Sequence, residues 1–261
     1  MARSKAAMPE TVWASLDERA AKPPEGHLVA EDIATQIQEL IIREDLKEGS
    51  RIPSERELAQ LLKTSRPTVS QAIRILVVRG LAESRRGSGC YVIRRPEISL
   101  AASVDLMLNL NVESVKHLAE LRFMLESAGI NIAIARAGPN DISAAGRALR
   151  KMRQSVGNTA AWMTADTQFH AALVRSSKNP YLVSIYESVH TALIDYEHRG
   201  WVERGEIPAW LEPDGPDSLM AVHEPILDAF ERRDIAGAQI AVERHHEAMT
   251  QHLADAADPD D

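Results

Sequence analysis

Residues 53–79 read PSERELAQLLKTSRPTVSQAIRILVVR, and residues 85–89 read RRGSG. Ser54 and Glu57 have the S-x-x-E spacing of a capping box, which predicts a short helix beginning after Ser54. A second helix follows, capped by the Thr-Ser pair before the arginine, and Gly80 ends it. Two short strands around the basic, glycine-containing tip complete the order of a winged helix-turn-helix. Such a module places one helix in the major groove of DNA.

The composition of the whole chain agrees with a largely helical protein. Its 261 residues are 44% hydrophobic but only 4% aromatic, which favours helices packed through aliphatic side chains. The single cysteine, Cys90, excludes a disulfide framework within one chain. No run approaches 18 apolar residues, and the start lacks a signal-peptide core. We therefore expect a soluble, cytoplasmic protein with no membrane partner.

Charge is distributed unevenly along the chain. The net charge is −8, yet residues 28–96 contain 12 Lys or Arg against 9 Asp or Glu. Residues 97–261 contain 14 basic and 25 acidic residues. Because phosphate repels the acidic part, only residues 28–96 offer a sensible face for DNA.

Breaks in hydrophobic periodicity predict the domain organisation. We expect a mostly α protein, with an N-terminal winged helix-turn-helix followed by an all-α bundle of six or seven helices. The expected parts are a flexible segment at 1–27, the DNA-binding domain at 28–94, a linker at 95–98, a helical domain at 99–255 and an acidic tail at 256–261. The candidate bundle helices are 99–109, 112–137, 140–156, 159–177, 180–199, 217–232 and 235–255. Residues 201–216 are predicted to be one long irregular stretch.

The side chains predicted to read DNA lie on the two helices and the wing. Arg66, in the first turn of the second helix, can grip guanine O6 and N7, and Gln71 could read adenine or simply be exposed. Short hydroxyl donors nearby suit phosphate contacts. The full candidate set is Arg56, Ser65, Arg66, Thr68, Gln71, Arg85, Arg86 and Gly87. The alternative is a small helical subdomain with a solvated basic face, and the correct order of all the elements favours DNA binding.

The same order resembles the N-terminal domain of GntR-family bacterial transcription regulators. The shared pattern is I-P-S-E-R-E-L-A-x-x-L, T-S-R-P-T-V, A-I-x-x-L, G-L and R-R-G-x-G, and it covers about 65 residues. The resemblance implies operator contacts by Arg56, Ser65, Arg66 and Thr68, and by the wing at Arg86 and Gly87. Members with a FadR-type C-terminal domain usually carry a second arginine where this chain has Ser70, so the operator sequence is left open.

Four polar residues on inward faces of the later helices have the composition of a metal site. Asp166 and His170 are four residues apart on one predicted helix, while His223 and His245 lie on apolar faces of two others. Three imidazoles and one carboxylate suit Zn²⁺ or Ni²⁺, and also Mn²⁺. From spacing alone, a metal site and a hydrogen-bonded polar core are equally good interpretations.

A second resemblance bears on that choice. Residues 112–255 look like the helical FCD effector domain of the FadR subgroup, through E-L-R-x-x-L-E at 120–126, D-x-x-F-H at 166–170, S-x-N-P at 177–180 and H-E-P-I-L-D-A at 223–229. In that domain the residues that match Asp166, His170, His223 and His245 bind a divalent metal. The resemblance therefore implies a metal, most readily zinc.

Two further residues are candidates for effector binding. Arg122 lies on an otherwise apolar face and either pairs with Glu126, four residues later, or anchors an anionic effector. Asn179 precedes Pro180 and is first of all a helix N-cap, and only secondarily a pocket donor.

These observations favour a ligand-responsive regulator over an enzyme. The resemblance implies a homodimer that binds a palindromic operator, most often as a repressor, with a small carboxylate or sugar acid as effector. A metal-dependent enzyme of small carboxylates with a DNA-binding anchor is an alternative, but no motif supplies a general base and H-E-x-x-H is absent. A metal-free acyl-CoA-type sensor is another, although such domains usually lack these ligands.

Overall fold

The computed structural model describes residues 12–14, 16, 29–110, 114–211 and 220–257. The chain divides into two compact units, Met1–Ser99 and Leu100–Asp261. The described residues confirm the fold class, because a small winged helix-turn-helix precedes a unit built only of helices. The expected linker at 95–98 is partly helical, since a helix already begins at Glu97.

Between residues 29 and 96, all of which the structure describes, the N-terminal unit forms three helices and a three-stranded antiparallel sheet in the order β1-β3-β2. Ser54 Oγ accepts a hydrogen bond from the amide of Glu57, and the Glu57 carboxylate accepts one from the amide of Ser54, so the capping box is formed. The elements are α1 (Ala30–Arg43), β1 (Arg51–Ile52), α2 (Glu55–Leu61), α3 (Arg66–Val78), β2 (Ala82–Arg85) and β3 (Gly89–Val92).

Gly80 connects α3 to the wing, and no other residue fits there. Its φ is +69°, and a Cβ atom would lie 1.9 Å from the carbonyl oxygen of Arg95. The left-handed conformation and the close backbone together require glycine. The wing that follows is a hairpin in which Ala82 faces Val92 and Arg85 faces Gly89.

The start of the chain differs from the prediction. Residues 1–27 are predicted to be a flexible segment, yet residues 12–14 are helical. Trp13 and Leu16 are 5% and 1% exposed and belong to the core of the N-terminal unit. The prediction is wrong for these residues, and the remainder of 1–27 lies outside the described residues.

Seven α-helices form the described part of the second unit. They are α4 (Glu97–Leu110), α5 (Ser114–Arg136), α6 (Pro139–Gln154), α7 (Thr159–Arg175), α8 (Pro180–Arg204), α9 (Met220–Arg232) and α10 (Ile235–Ala257), with a short 3₁₀ helix at Ala209–Leu211 between α8 and α9. The first three residues of α4 fall before the unit boundary. The predicted helices agree with these to within a few residues, except that α8 continues through Gly200 to Arg204. Part of the predicted irregular stretch at 201–216 is therefore helical, and its end lies outside the described residues. The expected acidic tail at 256–261 also lies largely outside them, and α10 extends to Ala257.

The helical unit combines an apolar core with a buried polar interior. Trp162, Phe169 and Phe230 are each at most 1% exposed and anchor the apolar core. Several charged and imidazole side chains are buried almost as completely, and they come from five helices, α5 and α7 to α10. Because a buried polar group is costly without partners, this interior is where a binding site is expected.

Candidate functional site

The structure gathers four of the sequence-predicted polar side chains at one point in the helical unit. Helix α7 supplies Asp166 and His170, α9 supplies His223, and α10 supplies His245. None of the four side chains belongs to a residue more than 2% exposed. One ligand atom from each residue lies within 4.8 Å of the other three.

The distances within this cluster suit a shared ion. His223 Nε2 lies 3.0 Å from Asp166 Oδ1 and 3.1 Å from His245 Nε2, while His170 Nε2 lies 3.5 Å from Asp166 Oδ1. Ligands about 2.1 Å from a Zn²⁺ ion are roughly 3.0–3.5 Å from their neighbours in tetrahedral or octahedral geometry. Two imidazole nitrogens facing each other, with a carboxylate beside them, therefore fit a divalent cation.

A second layer of buried groups holds the cluster in place. The Glu126 carboxylate, on α5, contacts His170 Nδ1, which directs His170 Nε2 towards the other ligands. His190, on α8, places its Nε2 3.3 Å from Asp166 Oδ2, and its Nδ1 is 3.3 Å from the hydroxyl of Tyr186. Neither contact was predicted from the sequence, in which Glu126 was a candidate partner of Arg122 and His190 had no assigned role.

The charges of these groups depend on one another. Burial alone would raise the pKa of Asp166, but the neighbouring imidazoles, His170 foremost, hold it well below its usual range. Burial also acts to raise the pKa of Glu126, yet His170 and then Arg122 lower it to about 2. Burial lowers the pKa of His245, and the positive charges around it lower it further. In the metal-free protein these contacts keep two carboxylates ionised and His245 neutral, whereas Glu126 and Asp166 overcome the effect of burial and raise the pKa of His170 to about 9. A cation bound here would therefore displace a proton from His170.

Arg122 is buried in the same interior, at 2% exposure. Its Nε and Nη1 atoms have no hydrogen-bond acceptor among the described residues. The proposed pair with Glu126 is electrostatic only, because Glu126 bonds to His170 and forms no direct ion pair with Arg122. Two donors of Arg122 thus remain available to an anion.

Asn179 is engaged at the start of α8. Its side-chain oxygen accepts hydrogen bonds from the amides of Tyr181 and Leu182, as an N-cap does. Eleven residues separate it from His190, about 16 Å along the helix. Its part in effector binding stays a prediction.

The N-terminal unit brings together some of the predicted DNA-reading residues. Arg56 and Arg66 line one cleft, together with Arg51, which was not among the predicted residues. Ser65 caps α3 through the amide of Thr68, and the two hydroxyls also lie 2.6 Å apart. These hydroxyls therefore shape the start of α3 in addition to any phosphate contact.

The remaining predicted residues have different surroundings. Gln71 is exposed but lines a separate depression with Glu31 and Arg74, away from the cleft of Arg66. Arg85 donates two hydrogen bonds to Glu83, at 3.1 and 2.9 Å, and its guanidinium lies over the ring of Tyr91. Arg86 and Gly87 form the exposed tip of the wing, where Gly87 has a φ of +72°.

In the part of the chain that the structure describes, no helix is both long and apolar enough to cross a bilayer.

Family models match both units of the chain. Residues 29–92 match "Bacterial regulatory proteins, gntR family", and residues 117–253 match "FCD domain". The "Uxu operon transcriptional regulator" of Escherichia coli (strain K12) is 28% identical over 240 residues, which cover 88% of this chain and 89% of that protein. The "HTH-type transcriptional repressor NanR" of Salmonella newport (strain SL254) is 26% identical over 222 residues, covering 83% and 82% of the two chains.

Solved structures share the fold. "Streptococcus agalactiae GntR" superposes with a TM-score of 0.62 at 20% sequence identity, covering 85% of this chain and 100% of that one. "E. coli McbR/YncC" gives a TM-score of 0.50 at 15% identity, covering 89% and 100%.

Proposed function

Because this chain belongs to the gntR family of bacterial regulatory proteins and carries an FCD domain, it is a transcriptional regulator, and we propose that a small organic acid or sugar acid, bound at a divalent metal in the helical unit, controls its affinity for operator DNA. The observation that carries this proposal is the convergence of four buried ligand atoms within 4.8 Å of one another. The ligand set of Asp166, His170, His223 and His245 favours zinc, with nickel and manganese as further candidates.

A metal at this point gives the site its chemistry. When bound, the ion supplies positive charge and open coordination positions for an anionic ligand. Glu126 fixes the orientation of His170, and His190 supports Asp166 from the other side. These contacts keep the ligand atoms in place before binding, so little ordering remains to oppose it.

Arg122 supports an acid as the effector. Its buried Nε and Nη1 donors have no acceptor among the described residues. An arginine with free donors in a low-dielectric interior suits a carboxylate, which accepts two parallel hydrogen bonds. We propose that Arg122 binds the carboxylate of the effector, and Asn179 is a weaker candidate for effector binding.

The N-terminal unit acts as the DNA reader in this proposal. The exposed guanidinium of Arg66 contacts a base edge, Arg56 lies beside it, and Arg86 at the wing tip approaches phosphate. A homodimer would bind two half-sites of a palindrome, because a two-fold protein matches a two-fold site. Since one relative is named a transcriptional repressor, we propose repression released by the effector, in the cytoplasm.

An enzyme with a DNA-binding anchor is the less favoured function. The family consists of regulators, and the buried carboxylates Glu126 and Asp166 are both engaged with imidazoles. Neither of these two is therefore placed as a free general base, and the unpaired buried carboxylate of Glu197 is about 10 Å along α8 from His190, which contacts Asp166.

A melting-temperature screen of the zinc-loaded protein against carboxylates and sugar acids, with and without chelator, tests the proposal. We expect one class of acid to raise the melting temperature only when zinc is present, since a ligand that binds the native state stabilises it. The same acid should then weaken binding to an operator selected from random duplexes. Stabilisation by an acid that persists with chelator, or operator affinity indifferent to every stabilising acid, would contradict the proposal.

A further inference from the structure

A buried carboxylate lies beyond the metal cluster and takes no part in it. On α8, Tyr186, His190, Leu193 and Glu197 are spaced four, three and four residues apart, so they share one face. The first three are at most 1% exposed, which makes this the interior face. Both carboxylate oxygens of Glu197 are buried, and no hydrogen-bond donor reaches them from the described residues.

Glu197 is coupled electrostatically to the guanidinium of Arg122. Arg122 exerts the largest favourable Coulomb effect on Glu197, and Glu197 exerts the largest on Arg122. The two groups are nevertheless not hydrogen-bonded, because Nε and Nη1 of Arg122 and both oxygens of Glu197 are without partners among the described residues. The interior thus contains unused donors on Arg122 and unused acceptors on Glu197.

The rise per residue of an α-helix gives the distance of Glu197 from the metal cluster along α8. His190, which contacts Asp166, is seven residues before Glu197, so the two positions are about 10 Å apart along α8. Arg122 is one helical turn before Glu126, whose carboxylate contacts His170. Arg122 and Glu197 therefore each lie within about two helical turns of a residue that contacts the cluster, which is a separation that a small organic acid can span.

We propose that Glu197 determines which acid this site accepts, by taking hydrogen bonds from hydroxyl or ammonium groups on an acid whose carboxylate binds near Arg122. This inference rests on the proposed function and names its ligand class more closely. An acid without such donors would leave the Glu197 carboxylate unpaired next to a second negative charge. Sites built around a buried hydrogen-bonding group reject analogues that lack the matching group.

The titration of Glu197 is consistent with a site that lacks enough donors of its own. Burial raises the pKa of Glu197 to about 7, although Arg122 acts to lower it. Hydroxyl or ammonium donors from a ligand would stabilise the ionised form.

Acids of matched length separate the roles of the carboxylate and the donors. Hexanoate, gluconate and 6-aminohexanoate share a six-carbon acid chain, and propanoate, glycerate and 3-aminopropanoate form a shorter set. We would measure their affinities for the zinc-loaded full chain by calorimetry. The wild type should bind the hydroxylated or the amino member of one set roughly tenfold or more tighter than the unsubstituted acid.

Variants then assign the preference to one side chain. Glu197→Leu should abolish it and should bind hexanoate better than the wild type does, because the repulsion is gone. Glu197→Gln keeps an acceptor, so it should retain part of a hydroxyl preference and lose an ammonium preference. Glu203→Leu, an exposed glutamate on the same helix, is the control and should behave as wild type. Zinc content and melting curves establish that each variant is folded, and the near-isosteric Glu197→Gln carries the test if Glu197→Leu does not fold.

The outcomes separate this inference from the proposed function. Acids that bind the wild type equally well with and without donors, or a preference that survives in both Glu197 variants, would overturn the role of Glu197 alone. If neither set binds the zinc-loaded wild type, both the acid effector and the role of Glu197 are overturned.

Discussion

Replacing Arg66 with alanine isolates the base-reading contact of the proposed recognition helix. Arg66 is the first residue of α3, and its side chain is exposed. No hydrogen bond or ion pair holds it among the described residues, so its removal should leave the melting temperature of the protein unchanged. Any loss of DNA affinity can then be attributed to the interface.

The expected loss follows from the number of contacts. One bidentate arginine–guanine contact contributes about 1–3 kcal/mol of discrimination. A dimer on a palindrome makes this contact twice, so Arg66→Ala should cost about 2–6 kcal/mol, or roughly 30-fold to 10⁴-fold in affinity. Binding to unrelated duplex DNA should fall much less, because only the loss of charge acts there.

Fluorescence anisotropy with the selected operator and with a scrambled duplex measures both losses. Arg74→Ala is the matched control, since it removes the same charge from an exposed position on α3, about 12 Å further along the helix. Arg74→Ala should weaken binding to both duplexes by a similar factor. Arg66→Ala should instead lower the ratio of the affinity for the operator to the affinity for the scrambled duplex. An unchanged ratio in Arg66→Ala, or an equal change in both variants, would refute the recognition-helix assignment.

Three further predictions concern the stability of the two units. Ser54→Ala removes the N-cap of α2 and should cost about 1 kcal/mol in the free energy of unfolding, measured with denaturant. Unchanged stability would mean that the capping box does not hold the helix. Trp13→Ala should cost about 3–5 kcal/mol, because the indole is 5% exposed within the N-terminal core, and a loss near zero would show that the first helical turn does not pack there. In the metal-free protein, Glu197 has a folded pKa of about 7 against a usual 4.5, so ionising it costs stability as the pH rises through that window. As the pH rises from 5 to 8, the free energy of unfolding of Glu197→Gln, measured in denaturant titrations, should therefore gain up to about 3 kcal/mol relative to that of the wild type. A difference that does not vary with pH would contradict the raised pKa and the burial of the Glu197 carboxylate.

Much of the fold was predictable because its signals are local. The capping box at Ser54, the serine cap at Ser65 and the glycine after α3 each mark a helix end within a few residues. The helices of the second unit were predicted from periodicity for the same reason. Gly200 misled the prediction, since α8 continues through it and ends at Gly205, which has the left-handed φ of +66°.

The start of the chain could not be predicted, because its packing depends on distant partners. Trp13 and Leu16 lie in a stretch too short to show a helical period, and their burial comes from the core formed by later helices. Periodicity reports only on longer amphipathic segments.

The four candidate metal ligands could be predicted from their positions on apolar faces and from the family resemblance, whereas the groups that contact them could not. Glu126 and His170 are 44 residues apart, and His190 meets Asp166 from another helix. Which histidine of nine supports the cluster depends on how the helices pack. For the residues of α8, the one sequence signal was spacing: Tyr186, His190 and Glu197 share one face of this helix, which could have indicated that His190 and Glu197 point into the interior.

Zinc binding by the purified full chain tests the central claim most directly. After removal of metal with chelator and titration with zinc, the wild type should bind about one ion per chain and gain melting temperature, while the Asp166→Ala/His223→Ala variant should bind none and stay folded. His117→Ala, an exposed histidine on α5, should match the wild type. Stoichiometric zinc retained by the double variant, or none bound by the wild type, would contradict the account.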